Sequence, residues 1–241
     1  MMILGIDTST SCGSLGLIDG DQVVAEYNLN REETHSARLI PSIQVLLKGA
    51  KLDIKDVDGL AVSLGPGSFT GLRVGLSTVK GLALAAEKPV VGVPTLDALA
   101  HNLPFTPYLI CPFLDARRGE VYTALYKDEG GGRVKRLTPY QVLSPSIMLE
   151  EIPPKETIFL GDGVRVYGEL IKERLGERAF FAPPHLRFLR GTMVAELGLQ
   201  RIMEGERDDI SSLVPIYVRP SDAEIRWVKR KGLNNFKGNR I

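Results

Sequence analysis

Ile3-Leu4-Gly5-Ile6-Asp7-Thr8-Ser9-Thr10-Ser11-Cys12-Gly13-Ser14-Leu15-Gly16-Leu17-Ile18 is the stretch on which the fold turns. Two short apolar runs, Ile3–Ile6 and Ser14–Ile18, flank a polar loop, and runs of that length bounded by Gly, Asp and Ser read as β-strands. Asp19-Gly20-Asp21 then turns the chain into a third strand, Gln22 to Leu29. The chain opens as an antiparallel meander with a hydroxyl-rich loop at one tip.

The pattern returns a hundred residues later. Tyr108 to Leu114 reads as a strand, Asp115-Ala116-Arg117-Arg118-Gly119-Glu120 as a loop, and Val121 to Tyr126 as the returning strand. A second strand, acid-bearing turn and strand suggests two duplicated α/β halves. Between the two lies a helix predicted from about Thr34 to Ala50, with Leu39, Ile43, Leu46 and Ala50 at helical spacing. Pro41 lacks an N–H and fits the first turn best; further in it would bend the helix. Val57 to Leu64 is a buried strand leading through Gly65-Pro66-Gly67-Ser68 into a helix from Phe69 to Ala86. Pro89 to Val93 is a short strand, and Thr95 is expected to cap a helix through Leu103. Further on, Gly130-Gly131-Gly132 is a hairpin tip, and Thr157 to Leu160 is a strand ending in Gly161-Asp162-Gly163. A helix to Arg174 follows, and Arg190 to Glu204 is the last long helix. The expected division is a first lobe over 1–104, a second and reduced lobe over 105–221, and a basic tail over 222–241 carrying a net charge of +4.

Composition narrows the function classes. With 241 residues there is room for two lobes, and 44% hydrophobic content supplies their cores. The net charge of +1 gives no global field toward nucleic acid, so any RNA contact must come from a local patch or a partner. Cys12 and Cys111 stand alone, without a CxxC pair, and read as reduced thiols. The N-terminus has no basic region and meets an acid at Asp7, and no apolar run reaches spanning length. A cytoplasmic protein without a membrane segment is expected.

Four constellations could carry chemistry. Asp7-Thr8-Ser9-Thr10-Ser11 is either a polar turn or a loop able to hold a phosphate and its metal ion. Gly65 to Arg73 joins a strand to a helix N-terminus, which favours anions, but lacks the Gly-Lys-Ser/Thr of a P-loop. The helix it opens has small residues in rows, Gly71 and Gly75 on one, Ser77, Gly81 and Ala85 on another. Such a helix can meet its own core on one side and a partner on the other. His35 has Leu39 where a helical metal pair would place a second ligand, so no metal site is expected. Asp115, Arg117, Arg118 and Glu120, with Asp162, could serve a phosphate from the second half or pair among themselves. No Ser/His/Asp set is recognisable, and no catalytic residue is assigned.

Taken in order, Ile6-Asp7-Thr8-Ser9, His35-Ser36-x-x-Leu39-x-Pro41, Gly65-Pro66-Gly67-Ser68-Phe69-Thr70-Gly71-Leu72-Arg73-Val74-Gly75, Asp115 to Tyr122, and Pro215-Ile216-Tyr217-Val218-Arg219-Pro220 resemble the TsaB (YeaZ) family. The resemblance covers about residues 1–220. It implies the two-lobed α/β fold of actin, sugar kinases and Hsp70-type ATPases, with duplicated ribonuclease H-like halves. It also implies a role beside TsaD, the paralogue that transfers threonylcarbamoyl to adenosine 37 of tRNAs reading codons that begin with A, with TsaE completing the assembly. The chain is then a partner subunit rather than an enzyme. By the same resemblance His35, Ser36, Leu39, Ile43, Gly71, Arg73, Gly75 and Thr78 form the pairing surface, for TsaD or a second copy. Asp7, Thr8, Ser9, Gly65, Gly67, Ser68, Asp115 and Arg117 are candidates for a vestigial nucleotide contact. No intrinsic cofactor is expected, although an adenine nucleotide held at the interface with TsaD is compatible. Contact with tRNA would be indirect or through the basic tail. Gly75→Leu is expected to block pairing while leaving the monomer folded. The alternative is an ATPase or phosphotransferase using Asp7 and the Gly65 loop. A peptidase reading lacks both a metal pair and a triad.

Overall fold

The three opening strands form as the alternation requires. The computed structural model describes residues 1–30 and 34–219. Strands β1 (Met2–Asp7), β2 (Cys12–Asp19) and β3 (Gln22–Asn30) are antiparallel neighbours. After helix α1 (His35–Gly49) come β4 (Gly59–Gly65), α2 (Phe69–Ala86), β5 (Val90–Pro94) and α3 (Thr95–Ala100). The second half contributes β6 (Leu109–Arg117), β7 (Glu120–Thr123), β8 (Tyr126–Asp128), β9 (Val134–Arg136), β10 (Gln141–Leu143), α4 (Pro145–Glu151), β11 (Thr157–Leu160), α5 (Gly163–Leu175), β12 (Ala179–Phe181) and α6 (Gly191–Met203).

The duplication suspected from two acid-bearing turns is explicit in the topology. The first sheet runs β3-β2-β1-β4-β5 and the second, of seven strands, runs β10-β7-β6-β11-β12 with β8 paired to β6 and β9 to β8. In both, the first two pairings are antiparallel and the last two parallel. Even the exits match: Gly65 leaves β4 at φ 109° and Gly161 follows β11 at φ 110°, a region that glycine enters without a Cβ clash. The second sheet has the shorter strands, with β7, β10 and β12 only three or four residues long.

Two apolar layers enclose the first sheet. On one side α1 and α2 pack Leu39, Ile43, Leu46, Leu76 and Val79 against Leu4, Ile6, Leu15 and Val62. On the other side α6 returns to the first sheet although it follows the whole second sheet in sequence. The strands of the two sheets thus lie on either side of 104/105 in sequence, while α6 crosses back to the first. The seat for α6 is a pair of glycines in register, Gly5 opposite Gly16. A Cβ on Gly5 would stand 2.1 Å from the Gly191 carbonyl oxygen, and one on Gly16 2.0 Å from the Thr192 nitrogen, so α6 lies directly on the strand backbone. One core then joins both halves: Ile3, Ala61 and Val91 belong to the same cluster as Ile110, Leu114, Tyr126 and Leu160, through Leu96, Leu99 and Val194. Asp97 of α3 reinforces the junction, accepting hydrogen bonds from Tyr126 Oη (2.7 Å) and Tyr140 Oη (2.8 Å).

Several local expectations are corrected. Pro41 sits in the second turn of α1, where the outward side of the helix tolerates its missing N–H. Thr95 is no cap; its hydroxyl accepts the Gly65 N–H at 3.0 Å, and α3 ends at Ala100. Asp115 and Ala116 belong to β6, and the turn is confined to residues 117–120, with Arg117 and Arg118 at φ 63° and 57°. Cys12 and Cys111 are both free and buried. No helix of the described residues is long and apolar enough to cross a membrane. The predicted basic tail, 222–241, lies outside the described residues.

Candidate functional site

The tips of both hairpins face each other across a cleft of about 520 Å³. From the first half it is lined by Ser9, Thr10 and Ser11, by His35, and by the residues from Pro66 to Thr70. From the second half come Leu114 to Arg118, Tyr122 and Asp162, and Ile216 to Arg219 close one side. Among the sequence candidates Ser9, Gly67, Ser68, Asp115 and Arg117 line this space, while Asp7, Thr8 and Gly65 are buried and do not. The topology thus brings two remote acidic turns to one place.

Burial decides the chemistry of Asp7. Its side chain is wholly enclosed, with Oδ1 accepting from Ser63 Oγ at 2.5 Å and from the Ser9 N–H at 3.0 Å. Oδ2 and the neighbouring Ser9 Oγ have no hydrogen-bond partner. Loss of water drives the carboxyl up from its ordinary 3.8 to about 6, against the opposing hydrogen bond from Ser63. Across the cleft, burial also raises Asp162, helped by the nearby charge of Asp115. Asp162 Oδ1 accepts the Asp115 N–H at 2.9 Å. Asp115 itself is engaged by Arg117, through its N–H at 2.8 Å and its guanidinium at 3.2 Å. Arg117 is largely exposed, so that ion pair contributes little stability. Glu120 is paired with Arg219, whose Nη2 also donates to the Ala116 carbonyl at 3.0 Å. The pairing of Glu120 with a residue 99 positions away had no signal in the local sequence.

His35 is fully committed. Nε2 lies 2.6 Å from the Thr10 carbonyl oxygen and Nδ1 lies 3.1 Å from Arg38 Nη2. A carbonyl only accepts and a guanidinium only donates, so His35 is the neutral tautomer with its proton on Nε2. Burial lowers its pKa accordingly. Arg38 continues the tie, donating to the Ser11 carbonyl at 2.8 Å. The pair fastens the start of α1 to the hairpin loop and leaves neither imidazole nitrogen for a ligand. Leu39, at the next helical turn, is buried in the first core. Among the described residues no three His, Cys, Asp or Glu side chains gather as a metal-binding group.

The outer faces of α1 and α2 are the second feature. Of the residues proposed for pairing, Ser36 and Arg73 are exposed, and His35 and Thr78 are half-buried. Leu39, Ile43, Gly71 and Gly75 are buried in the protein itself. The inward row of small residues explains this: Thr8 Oγ1 donates to the Gly71 carbonyl at 2.7 Å, and a Cβ on Gly75 would stand 2.3 Å from Thr8 Oγ1. The expectation that Gly75→Leu leaves the monomer intact is therefore wrong. The other row, Ser77, Gly81 and Ala85, does face outward. Also exposed are Ile40 (43%) and Val45 (58%) on α1 and Leu84 (66%) on α2, three large apolar side chains that helical spacing alone did not single out. Arg73 stacks over Phe69 at 3.9 Å and donates to Tyr217 Oη at 3.0 Å, so it leaves α2 in a fixed direction.

A five-strand order repeated in two sheets, with hairpin tips meeting at a cleft, defines a two-lobed α/β protein of the actin-like ATPase fold. The solved activator of the 2-hydroxyisocaproyl-CoA dehydratase from Clostridium difficile, with bound ADPNP, shares that fold. Its TM-score is 0.52 at 11% identity over 90% of this chain and 100% of that one. Nearer in sequence is YeaZ from Pseudomonas aeruginosa, with TM-score 0.72 and 26% identity over 90% of this chain and 99% of that one. A family model for TsaD, tRNA N6-adenosine threonylcarbamoyltransferase, matches residues 22–227. The tRNA threonylcarbamoyladenosine biosynthesis protein TsaB of Bacillus subtilis is 34% identical over 95% of this chain and 99% of its own length. TsaB of Escherichia coli is 32% identical over 96% and 99%. The chain belongs to the TsaB family of tRNA threonylcarbamoyladenosine biosynthesis proteins.

Proposed function

We propose that this chain is a non-catalytic cytoplasmic subunit that pairs with TsaD, with TsaE completing the assembly. It activates transfer of threonylcarbamoyl to adenosine 37 of tRNAs reading codons that begin with A. The observation that carries the reading is the outer side of α1 and α2, where Ile40, Val45 and Leu84 are exposed and α2 turns Ser77, Gly81 and Ala85 outward. The cleft supports the non-catalytic half of the reading. Both nitrogens of His35 are engaged, and Asp115 and Glu120 are each held by an arginine. The test is binding of TsaD to Leu84→Asp, with circular dichroism to confirm the fold. Loss of one central anchor worth about 2 kcal/mol weakens binding roughly 30-fold. Unchanged affinity in a folded variant would move the partner surface elsewhere.

A second reading has one observation in its favour. Asp7 Oδ2 and Ser9 Oγ are buried polar atoms without partners, Ser9 lining the cleft and Asp7 enclosed beside it, and unsatisfied groups of that kind call for a water, an ion or a ligand. An adenine nucleotide retained in the assembled complex, without turnover by this chain, would account for them. Calorimetric titration of the chain and of its complex with TsaD against ADP and magnesium separates this from a cleft that holds only water.

A further inference from the structure

The faces proposed to meet TsaD carry an unusual charge pattern. Helices α1 and α2 contain Arg38, Lys48, Arg73 and Lys80 and not a single acid. Arg38 is buried and held by Ser11 and His35. Lys48 and Arg73 are exposed and Lys80 is half-buried, so the two helices present three positive charges along with the exposed apolar Ile40, Val45 and Leu84. Arg73 is oriented by Phe69 and Tyr217, which reduces the entropy lost when it meets an anion. The nearest acids along the chain stand beyond the helix C-termini: Asp53 and Asp56 in a short turn, where Asp56 caps the Asp53 N–H, and Glu87 at the end of α2. Glu32 and Glu33, before α1, lie outside the described residues.

A two-fold pairing of two copies through this face would set the same three cations against each other. Like charges brought together across an interface cost free energy and slow encounter, whereas opposite charges speed it. We infer that the basic rim selects the partner: the face takes an acid-bearing helix pair and disfavours a second copy of this chain. The inference rests on the pairing proposed above and adds the chemistry that the partner must present.

Salt separates the two associations by sign. Between roughly 0.01 M and roughly 0.15 M NaCl the Debye length falls from about 30 Å to about 8 Å. Association with TsaD is expected to slow roughly tenfold over that range. Self-association, followed by sedimentation of the chain alone, is expected to strengthen. Lys48→Glu/Lys80→Glu, two changes remote from the cleft, should weaken TsaD binding by a similar factor. Mixed with the wild-type chain, that variant should form pairs more readily than either protein does alone. Weakening of both associations in parallel, or indifference of both to salt and to the double substitution, would overturn the charge inference. Leu84→Asp keeps the two ideas apart. If that variant still binds TsaD normally, the pairing surface itself is wrong. If it fails to bind while charge and salt have no effect, only the selection by charge is wrong. Sedimentation of the mixed copies decides the charge question even where TsaD does not bind.

Discussion

Asp7→Asn isolates a single buried charge and reads its energy through pH. The wild-type carboxyl titrates at about 6 in the folded protein against 3.8 when exposed, because burial disfavours the ionised form. The folded state therefore binds the proton more tightly. The stability that the neutral acid provides is complete below the unfolded value and is lost as pH rises toward and through 6. Each pH unit between the two values corresponds to about 1.4 kcal/mol, so the ionised form is disfavoured by about 3 kcal/mol. Asn has nearly the same shape, keeps an acceptor for Ser63 Oγ and the Ser9 N–H, and never ionises. Every other titrating group, His35 included, cancels in the difference between variant and wild type. Urea unfolding of both proteins from about pH 4 to about pH 8 should show the variant gaining on the wild type by about 2 kcal/mol across the range, mostly between pH 4 and 6. A stability difference that stays flat with pH would refute the reasoning. It would mean that water or a cation reaches Oδ2 and holds the charge.

Gly75→Leu should destabilise the monomer by more than about 3 kcal/mol, since even a Cβ overlaps Thr8 Oγ1 and overpacking a filled core costs about 1–3 kcal/mol. Thermal unfolding with a wild-type midpoint would contradict the packing described. Asp97→Ala leaves the hydroxyls of Tyr126 and Tyr140 without an acceptor at the junction of the two halves, a loss of about 2–5 kcal/mol. Chemical denaturation reads it directly, and a change below about 1 kcal/mol would mean that water replaces the carboxylate.

Much of the architecture was written in local patterns. Phe69 to Ala86 was legible as a helix because Ser68 caps it, its apolar residues keep helical spacing, and Pro89 follows its end. The duplication was visible as two acid-bearing turns, and the topology of the two sheets establishes it. What escaped depends on distant residues. Nothing near α6 says that it returns to the first sheet; the signal is in Gly5 and Gly16, which read locally as ordinary strand glycines. The strands β10 and β12 are three residues long, too short for alternation to show. For the candidate site, sequence picked out loops that line the cleft but could not orient α2. Two rows of small residues are equivalent on paper, and only the position of Thr8 turns Gly71 and Gly75 inward and Ser77, Gly81 and Ala85 outward. The contact of Arg219 with Glu120 was illegible for the same reason.

The central claim, that this chain acts through TsaD without performing the chemistry, is tested most directly by reconstitution. Threonylcarbamoylation of tRNA would be measured with TsaD, TsaE and a source of activated threonylcarbamoyl, with and without this chain. The account predicts modification only when the chain is present, none from the chain alone, and loss of the stimulation with Leu84→Asp. Full modification in its absence would contradict it.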